Sequence, residues 1–333
     1  MIFLELFFML LVILVSAEIF TNALEHLGEK LKISEGVTGS IFAAIGTALP
    51  ETLVPLLALL SSHGDKETNH QVGVGAILGA PLMLSTLTMF IMAMSVIGHR
   101  GFGGHLKPEK TGLIRDLDFF ICSFIFAGIA LFIPHTSELA RGLIAFLMVF
   151  SYFIYILVTI RASKKLVNEG HATEASNPMF MERIGLPNNY LIISIQLLIG
   201  LALLVFGAKG FISGIEETSS ILGISALILS MLIIPIATEL PEKVNSIFWI
   251  RKGKDTLAFG NITGAMVFQG TLLPAIGILL TPWEPRKEVY LCIFITLLSS
   301  LWIRILIQKS SIKIWHLGIN GIFYFTYLYF ALH

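Results

Sequence analysis

Apolar runs of about 18 to 28 residues recur along the whole chain, and a helix of that length crosses the ~30 Å hydrocarbon core of a bilayer. The runs fall at 2–23, 33–60, 70–98, 113–134, 138–161, 188–212, 221–250, 257–281, 287–307 and 314–332. Hydrophobic residues fill 55% of the 333 positions and charged residues only 13%, too little charge for the surface of a soluble domain of this size. The expectation is an all-α polytopic membrane protein with ten transmembrane helices. The first run has no basic leader and continues past Glu18 without a cleavage motif, so it reads as a span rather than a signal peptide.

Orientation follows from loop charge. Fourteen lysines and arginines, among them Lys30, Arg100, Lys107, Lys164, Arg251 and Lys313, lie in the odd-numbered loops, against Lys66, Arg141, Arg286 and Lys287 in the even-numbered ones. Loops rich in basic residues stay in the cytoplasm, which puts both termini outside and the polar stretch 161–187 inside. Short loops and outward termini favour a prokaryotic plasma membrane. The net charge is zero and no basic patch carries interleaved aromatics. The expected partners are therefore the lipid bilayer and inorganic cations, with no nucleic acid and no obligatory protein partner.

The chain repeats itself. Residues 16–51 laid on 207–242 without a gap match at 11 of 36 positions, including Glu25, Ser34, Thr47, Pro50 and Glu51. A second block sets 75–91 against 260–276 with seven identities, among them both glycines of a GxxxG spacing. These matches define a first five-helix repeat over 1–160, a cytoplasmic linker over 161–187 and a second five-helix repeat over 188–333. Because five spans is an odd number, the second copy enters the membrane from the opposite side, and the repeats are inverted. Inverted repeats with interrupted helices at equivalent positions mark secondary transporters and place the substrate site at the midplane between the copies.

The interruption is legible in "GTALPETL" at 46–53 and "ATELPEKV" at 237–244. Proline inside a helix removes one donor and displaces the carbonyl four residues earlier, so helices 2 and 7 are expected to break at Pro50 and Pro241, freeing the carbonyls of Gly46 and Ala237. The neighbouring Glu51 and Glu242 add carboxylates, each costing about 2.5–3.5 kcal/mol near the centre of a span. Thr47 and Thr238 add hydroxyls one turn earlier. These are hard oxygen donors, and two such sets brought together supply the six or more oxygens that calcium prefers. The motif pair is read as a cation site. The GxxxG glycines at 75, 79, 260 and 264 are read as close-packing surfaces that let the third and eighth helices approach the broken ones.

These motifs resemble the calcium:cation antiporter superfamily, the sodium/calcium exchanger membrane region, over essentially the whole chain. The resemblance implies ten helices, outward termini, and alternating access by sliding of the first and sixth helices past the rest. It also implies that Thr47, Glu51, Thr238 and Glu242 ligate the metal, with carbonyls near Gly46 and Ala237. The sequence departs from the family at the hydroxyl and amide positions that flank this centre. Ala48 and Glu239 replace one serine pair, Ala80 and Ala265 another, and Leu84 and Gln269 replace the polar residue that follows. In sodium-coupled members those groups belong largely to the flanking sodium sites. Glu239 and Gln269 therefore join the candidate cation-binding residues, and coupling tilts toward protons. Lys243, four residues after Glu239, is read either as charge compensation or as a tethered substitute for a transported cation.

The function expected is secondary antiport of a divalent cation, calcium first, for protons or sodium. The same ligand chemistry also suits sodium, potassium, magnesium or manganese, and a non-transporting ion-binding scaffold would keep the same residues. The transported ions would be substrates, and no cofactor is implied. No HExxH, GxGD or GxSG stands in a span and no phosphate-binding GxxxxGK[ST] loop is present, so neither an enzyme nor an ATP-driven pump is expected.

Overall fold

The computed structural model describes residues 2–30, 44–60, 65–167, 178–309 and 312–333. Its helices are α1 Ile2–Lys30, α2 Ala44–Leu60, α3 Lys66–Arg100, α4 Lys110–Ala130, α5 Glu138–Val167 and the short α6 Phe180–Arg183. They continue with α7 Tyr190–Leu222, α8 Ala226–Thr238, α9 Leu240–Arg251, α10 Asp255–Leu280, α11 Lys287–Lys309 and α12 Ile314–Leu332. Among the described residues, five helical stretches are long and apolar enough to cross a membrane: Lys66–Arg100, Glu138–Thr159, Tyr190–Leu222, Asp255–Leu280 and Lys287–Gln308. Shorter apolar helices cover Glu51–Leu60 and Ala226–Ile236.

Helix starts follow capping chemistry. Asp65 accepts from the Thr68 amide at 2.9 Å at the start of α3, and Asn189 accepts from the Ile192 amide at 3.0 Å at the start of α7. The hydrogen bonds from Thr68 hold the Asp65 carboxyl below the usual carboxylate range. Gly223 ends α7 at φ 64°, a left-handed conformation that a side chain would disfavour.

Two apolar cores organise the bundle. The larger joins α3, α4, α5, α10, α11 and α12, with Phe120, Phe124, Phe259 and Trp283 at its heart. The smaller joins α1, α2, α7 and parts of α3 and α8 through Ile13, Val54, Ala58, Phe211 and Ile234. Large side chains point outward instead on α5 (Phe146, Phe150, Phe153) and on α12 (Ile322, Phe325), as a lipid-facing surface requires.

Polar contacts collect at the two ends of the bundle. At one end Arg100 grips Asp255 at 2.8 and 2.9 Å, the Lys107 amide donates to the same carboxylate at 2.8 Å, and Lys110 reaches the Gln308 carbonyl at 3.2 Å. There β1 His105–Leu106 pairs antiparallel with β2 Ile312–Lys313, a small exception to the all-α expectation. It joins two loops whose free backbone groups pair with each other. At the other end Arg286 pairs with Glu67, and buried Arg141 donates to the Ile278, Thr281 and Pro282 carbonyls at the end of α10. Charges within α4 are also partnered. Asp118 binds Arg304 of α11 through two bonds of 2.6 and 3.0 Å, and buried Asp116 accepts from Thr263 at 2.8 Å and Tyr155 at 3.1 Å.

Three expectations change. The described α2 runs from Ala44 to Leu60 without interruption through Pro50, because one missing donor and one displaced carbonyl can be absorbed without ending a helix. The first GxxxG does bring α3 onto α8: a Cβ at Gly79 would lie 2.7 Å from Met231 Cα, and one at Gly75 would lie 2.6 Å from the Leu227 carbonyl oxygen. The second GxxxG makes no such approach, since Gly260 faces open space and Gly264 meets only the Tyr155 hydroxyl at 3.8 Å. Of the two cysteines, both inside apolar runs and so expected as buried small side chains, Cys292 is buried and Cys122 is exposed. Replacing Gly79 with valine should cost about 1–3 kcal/mol through overpacking, read as a lower unfolding temperature in detergent. The Gly260→Val protein should unfold within a degree or two of wild type.

Candidate cation site in the split helix

Where the seventh apolar run should break, it does. α8 ends at Thr238, α9 begins at Leu240, and Glu239 stands between them with φ −87° and ψ 4°. Pro241 lies in the first turn of α9, where its missing N–H costs little, and that absence leaves the Ala237 carbonyl without its helical donor. The junction keeps some backbone continuity, because the Glu239 amide reaches the Pro235 carbonyl at 3.2 Å and the Lys243 amide reaches the Glu239 carbonyl at 3.1 Å. The break thus falls at Glu239, two residues before the proline that causes it.

Glu239 is fully buried, and its Oε1 accepts from Gln269 Nε2 of α10 at 2.6 Å. Gln269 is buried as well, and its Oε1 has no hydrogen-bond partner among the described residues. A carboxylate can only accept, so it turns the amide nitrogen toward itself. Thr238 is 2% exposed and donates to the Ile234 carbonyl at 3.2 Å. Lys243 crosses the break: its Nζ donates to the Pro235 carbonyl at 2.8 Å and lies 2.8 Å from Met83 Sδ of α3.

On the other copy of the motif, Glu51 is 5% exposed on α2, one turn before the buried Val54 and Pro55. Gly46 and Thr47 lie near the start of α2, Ala237 in the last turn of α8 and Glu242 in the first turn of α9. The side chains of Thr47 and Glu242 lie outside the described residues. Among those that are described, Glu239 and Gln269 are brought into direct contact, and Glu51 and Thr238 are buried in their helices. No group of three or more histidines, cysteines, aspartates and glutamates converges among the described residues.

Sequence reasoning did not pick out Met83, which backs Lys243, or Asn261, whose Nδ2 donates to Ser246 at 3.0 Å and ties α10 to α9. It also passed over the bonds from Asp116 to Thr263 and Tyr155. Polar residues inside apolar runs were the available signal for Asn261, Ser246 and Thr263. Nothing in the chain marks Met83 among its neighbours.

A helical bundle with a lipid-facing surface, a split helix and a buried carboxylate at the split has the features of a polytopic membrane protein. The family model for sodium/calcium exchanger protein matches residues 1–161 and 192–333, and the chain belongs to that family. Inner membrane protein YrbG of Escherichia coli (strain K12) is 26% identical over 283 residues, covering 84% of this chain and 80% of its own length. The putative antiporter CaxA of Alkalimonas amylolytica is 25% identical over 281 residues, covering 82% and 79%. Among solved structures, the crystal structure of the H+/Ca2+ exchanger CAX shares the fold with a TM-score of 0.75 at 17% identity, covering 99% of this chain and 82% of that one. As a member of an exchanger family, the protein is an integral membrane protein and not an enzyme.

The Gln269→Leu substitution leaves buried Glu239 without its charge-assisted donor. It should cost about 1.5–3 kcal/mol, measured as a fall in unfolding temperature in detergent relative to wild type.

Proposed function

We propose that this chain is a secondary antiporter that exchanges a divalent cation, calcium before others, for protons or sodium. One observation carries the reading: Glu51 on α2 and Glu239 in the α8–α9 gap are both buried, and both come from the duplicated Pro–Glu segment. A carboxylate at membrane depth costs about 2.5–3.5 kcal/mol unless a proton, a cation or a fixed charge neutralises it. Carboxylates that alternate between protons and metal supply the chemistry of exchange. The names of the relatives, a putative antiporter and an H+/Ca2+ exchanger, point the same way.

In this reading Thr47, Glu51, Thr238 and Glu242 ligate the divalent ion together with the Gly46 and Ala237 carbonyls, and Glu239 and Gln269 flank it. Protons are favoured over sodium as the coupling ion. Ala80 and Leu84 are buried and apolar, and Ala48 is an alanine, so at these three positions the first copy offers no side-chain oxygen for a flanking sodium ion.

The architecture proposed is ten spans in two inverted five-helix repeats, 1–160 and 188–333, around the linker 161–187. The family match divides at 162–191, close to that linker. The sorting of polar contacts supports the alternation. Loops counted as odd meet each other through Arg100 and Asp255 and through His105 and Lys313, while loops counted as even meet through Arg286 and Glu67. The odd end is then cytoplasmic, both termini are outside, and a prokaryotic plasma membrane is the location. α1 and α7 form the sliding pair. Gly200, Gly207, Gly210 and Gly214 line the face of α7 that meets α1, and small residues along one face let two helices move as a unit.

The test is radiolabelled calcium uptake by purified protein in liposomes, under a pH gradient and separately under a sodium gradient. Uptake driven by the pH gradient and reduced at least tenfold in the Glu51→Gln protein is the expected result. Sodium-driven uptake would overturn the proton assignment, and no uptake under either gradient would remove calcium as the substrate.

A further inference from the structure

Lys243 is the feature that the exchange chemistry does not require. In the duplicated segment its counterpart is Thr52, and the counterparts of Glu239 and Gln269 are Ala48 and Leu84. One copy is therefore apolar at two of these flanking positions and carries only a hydroxyl at the third, whereas the other carries a carboxylate, an amide and an ammonium. The ammonium lies at the helix break, 2.8 Å from the Pro235 carbonyl and 2.8 Å from Met83 Sδ. Backbone carbonyls at an unwound membrane helix are the groups that coordinate monovalent cations in transporters of inverted-repeat design. The Pro235 carbonyl, in the last turn of α8, keeps its helical donor, the Glu239 amide at 3.2 Å, and accepts the ammonium beside the break as a second partner, the place such a cation would take.

Resting on the antiporter reading, we propose that the Lys243 ammonium is a resident monovalent cation: it fills a flanking cation position built from the Pro235 carbonyl and Glu239, and so excludes sodium from this half of the protein. Charge in the gap is then supplied by a group that cannot leave, and one fewer ion is carried in each cycle. Removing the ammonium while keeping Glu239 and Gln269 leaves the Pro235 carbonyl at the break together with the buried Glu239 carboxylate and its Gln269 partner. Sodium, with its demand for oxygen ligands, is the ion that should enter there.

The experiment is thermal unfolding of the full chain in detergent, free of calcium, with sodium chloride titrated against choline chloride at constant ionic strength. Wild type should unfold at the same temperature in both salts. The Lys243→Ala protein should gain a saturable, sodium-specific rise of about 2–4 °C, and the Lys243→Ala/Glu239→Gln protein should lose that gain. Equal sodium responses in wild type and Lys243→Ala would overturn the proposal and leave the lysine as structural compensation alone. Should Lys243→Ala unfold during purification, Lys243→Met keeps the apolar stem. Rescue of that variant by sodium but not choline supports the proposal, and failure of sodium to rescue it overturns the proposal. Calcium responses of wild type and Glu51→Gln are read in the same assay. A missing calcium response counts against the antiporter reading, whereas the sodium gain tests the ammonium independently of calcium.

Discussion

A helix can be interrupted inside a bilayer only where protein or an ion covers the loosened backbone, because hydrocarbon offers no hydrogen bonds. The rest of this structure is arranged around that requirement at Glu239. α8 and α9 meet there with an incomplete ladder, and polar side chains from another helix and from the break itself cover part of it. α10 brings Gln269 to the Glu239 carboxylate, and Lys243 reaches back to the Pro235 carbonyl. On the remaining side α3 lies close against the backbone of α8, which is possible only because Gly75 and Gly79 carry no side chain. Pro235 contributes to this contact. It withholds the donor that would serve the Met231 carbonyl, and Gly79 packs against that same residue.

α3 and α8 are also where the two apolar cores meet. Val72 and Ala76 of α3 belong to the smaller core and Ile77 and Leu78 to the larger, while on α8 Leu229 and Ile234 face one and Leu227 and Met231 the other. α3 is anchored on the side away from α8. Its turn from Leu84 to Thr88 is widened into a π-helix, and the Ser85 carbonyl accepts from Ser299 at 2.7 Å and from Asn320 at 2.8 Å. The frame of α3 to α5 and α10 to α12 is therefore cross-linked by polar bonds as well as packing. The α1–α7 pair touches it through the smaller core, whose contacts are apolar. Apolar contacts between helices have no fixed partners to break, and sliding of packed helices is one of the ordinary routes to domain motion.

Much of this was legible in the chain, and the failures have physical causes. Apolar run length located five described helices long enough to cross a bilayer, because a bilayer imposes a minimum span. The repeated Pro–Glu segment located the break near Pro241, and the first GxxxG located the α3–α8 contact. The parallel expectation at Pro50 did not hold for the described residues, since proline weakens a helix without deciding whether neighbours will hold it together. The second GxxxG misled because spacing reports a small-residue face and not what stands opposite, which at Gly264 is the bulky Tyr155. The partners of Asp116, Asp118 and Glu239 were hidden for a related reason. They come from helices 30 to 186 residues away in sequence, as with Gln269 and Arg304, and no local pattern encodes which polar residue in one span meets which in another.

The divergence of the two copies also bears on charge. If Glu51, Glu239 and Glu242 serve one site and Lys243 is its permanent cation, three carboxylates against one ammonium leave two negative charges when the site is fully ionised. That is the charge balanced by one calcium ion or by two protons, so the site can exchange one for the other without leaving net charge in the bilayer, where uncompensated charge is costly. A site with three carboxylates and no lysine would need a further monovalent cation to reach the same balance with calcium bound. The apolar first copy, with Leu84 and Ala80 buried in place of oxygen ligands, offers no second place to hold one. Loss of oxygens in one half and gain of an ammonium in the other are thus two parts of one change. On the proposed site, both would reduce the number of free ions the centre carries, and both would leave a centre whose fixed charge matches a single divalent cation.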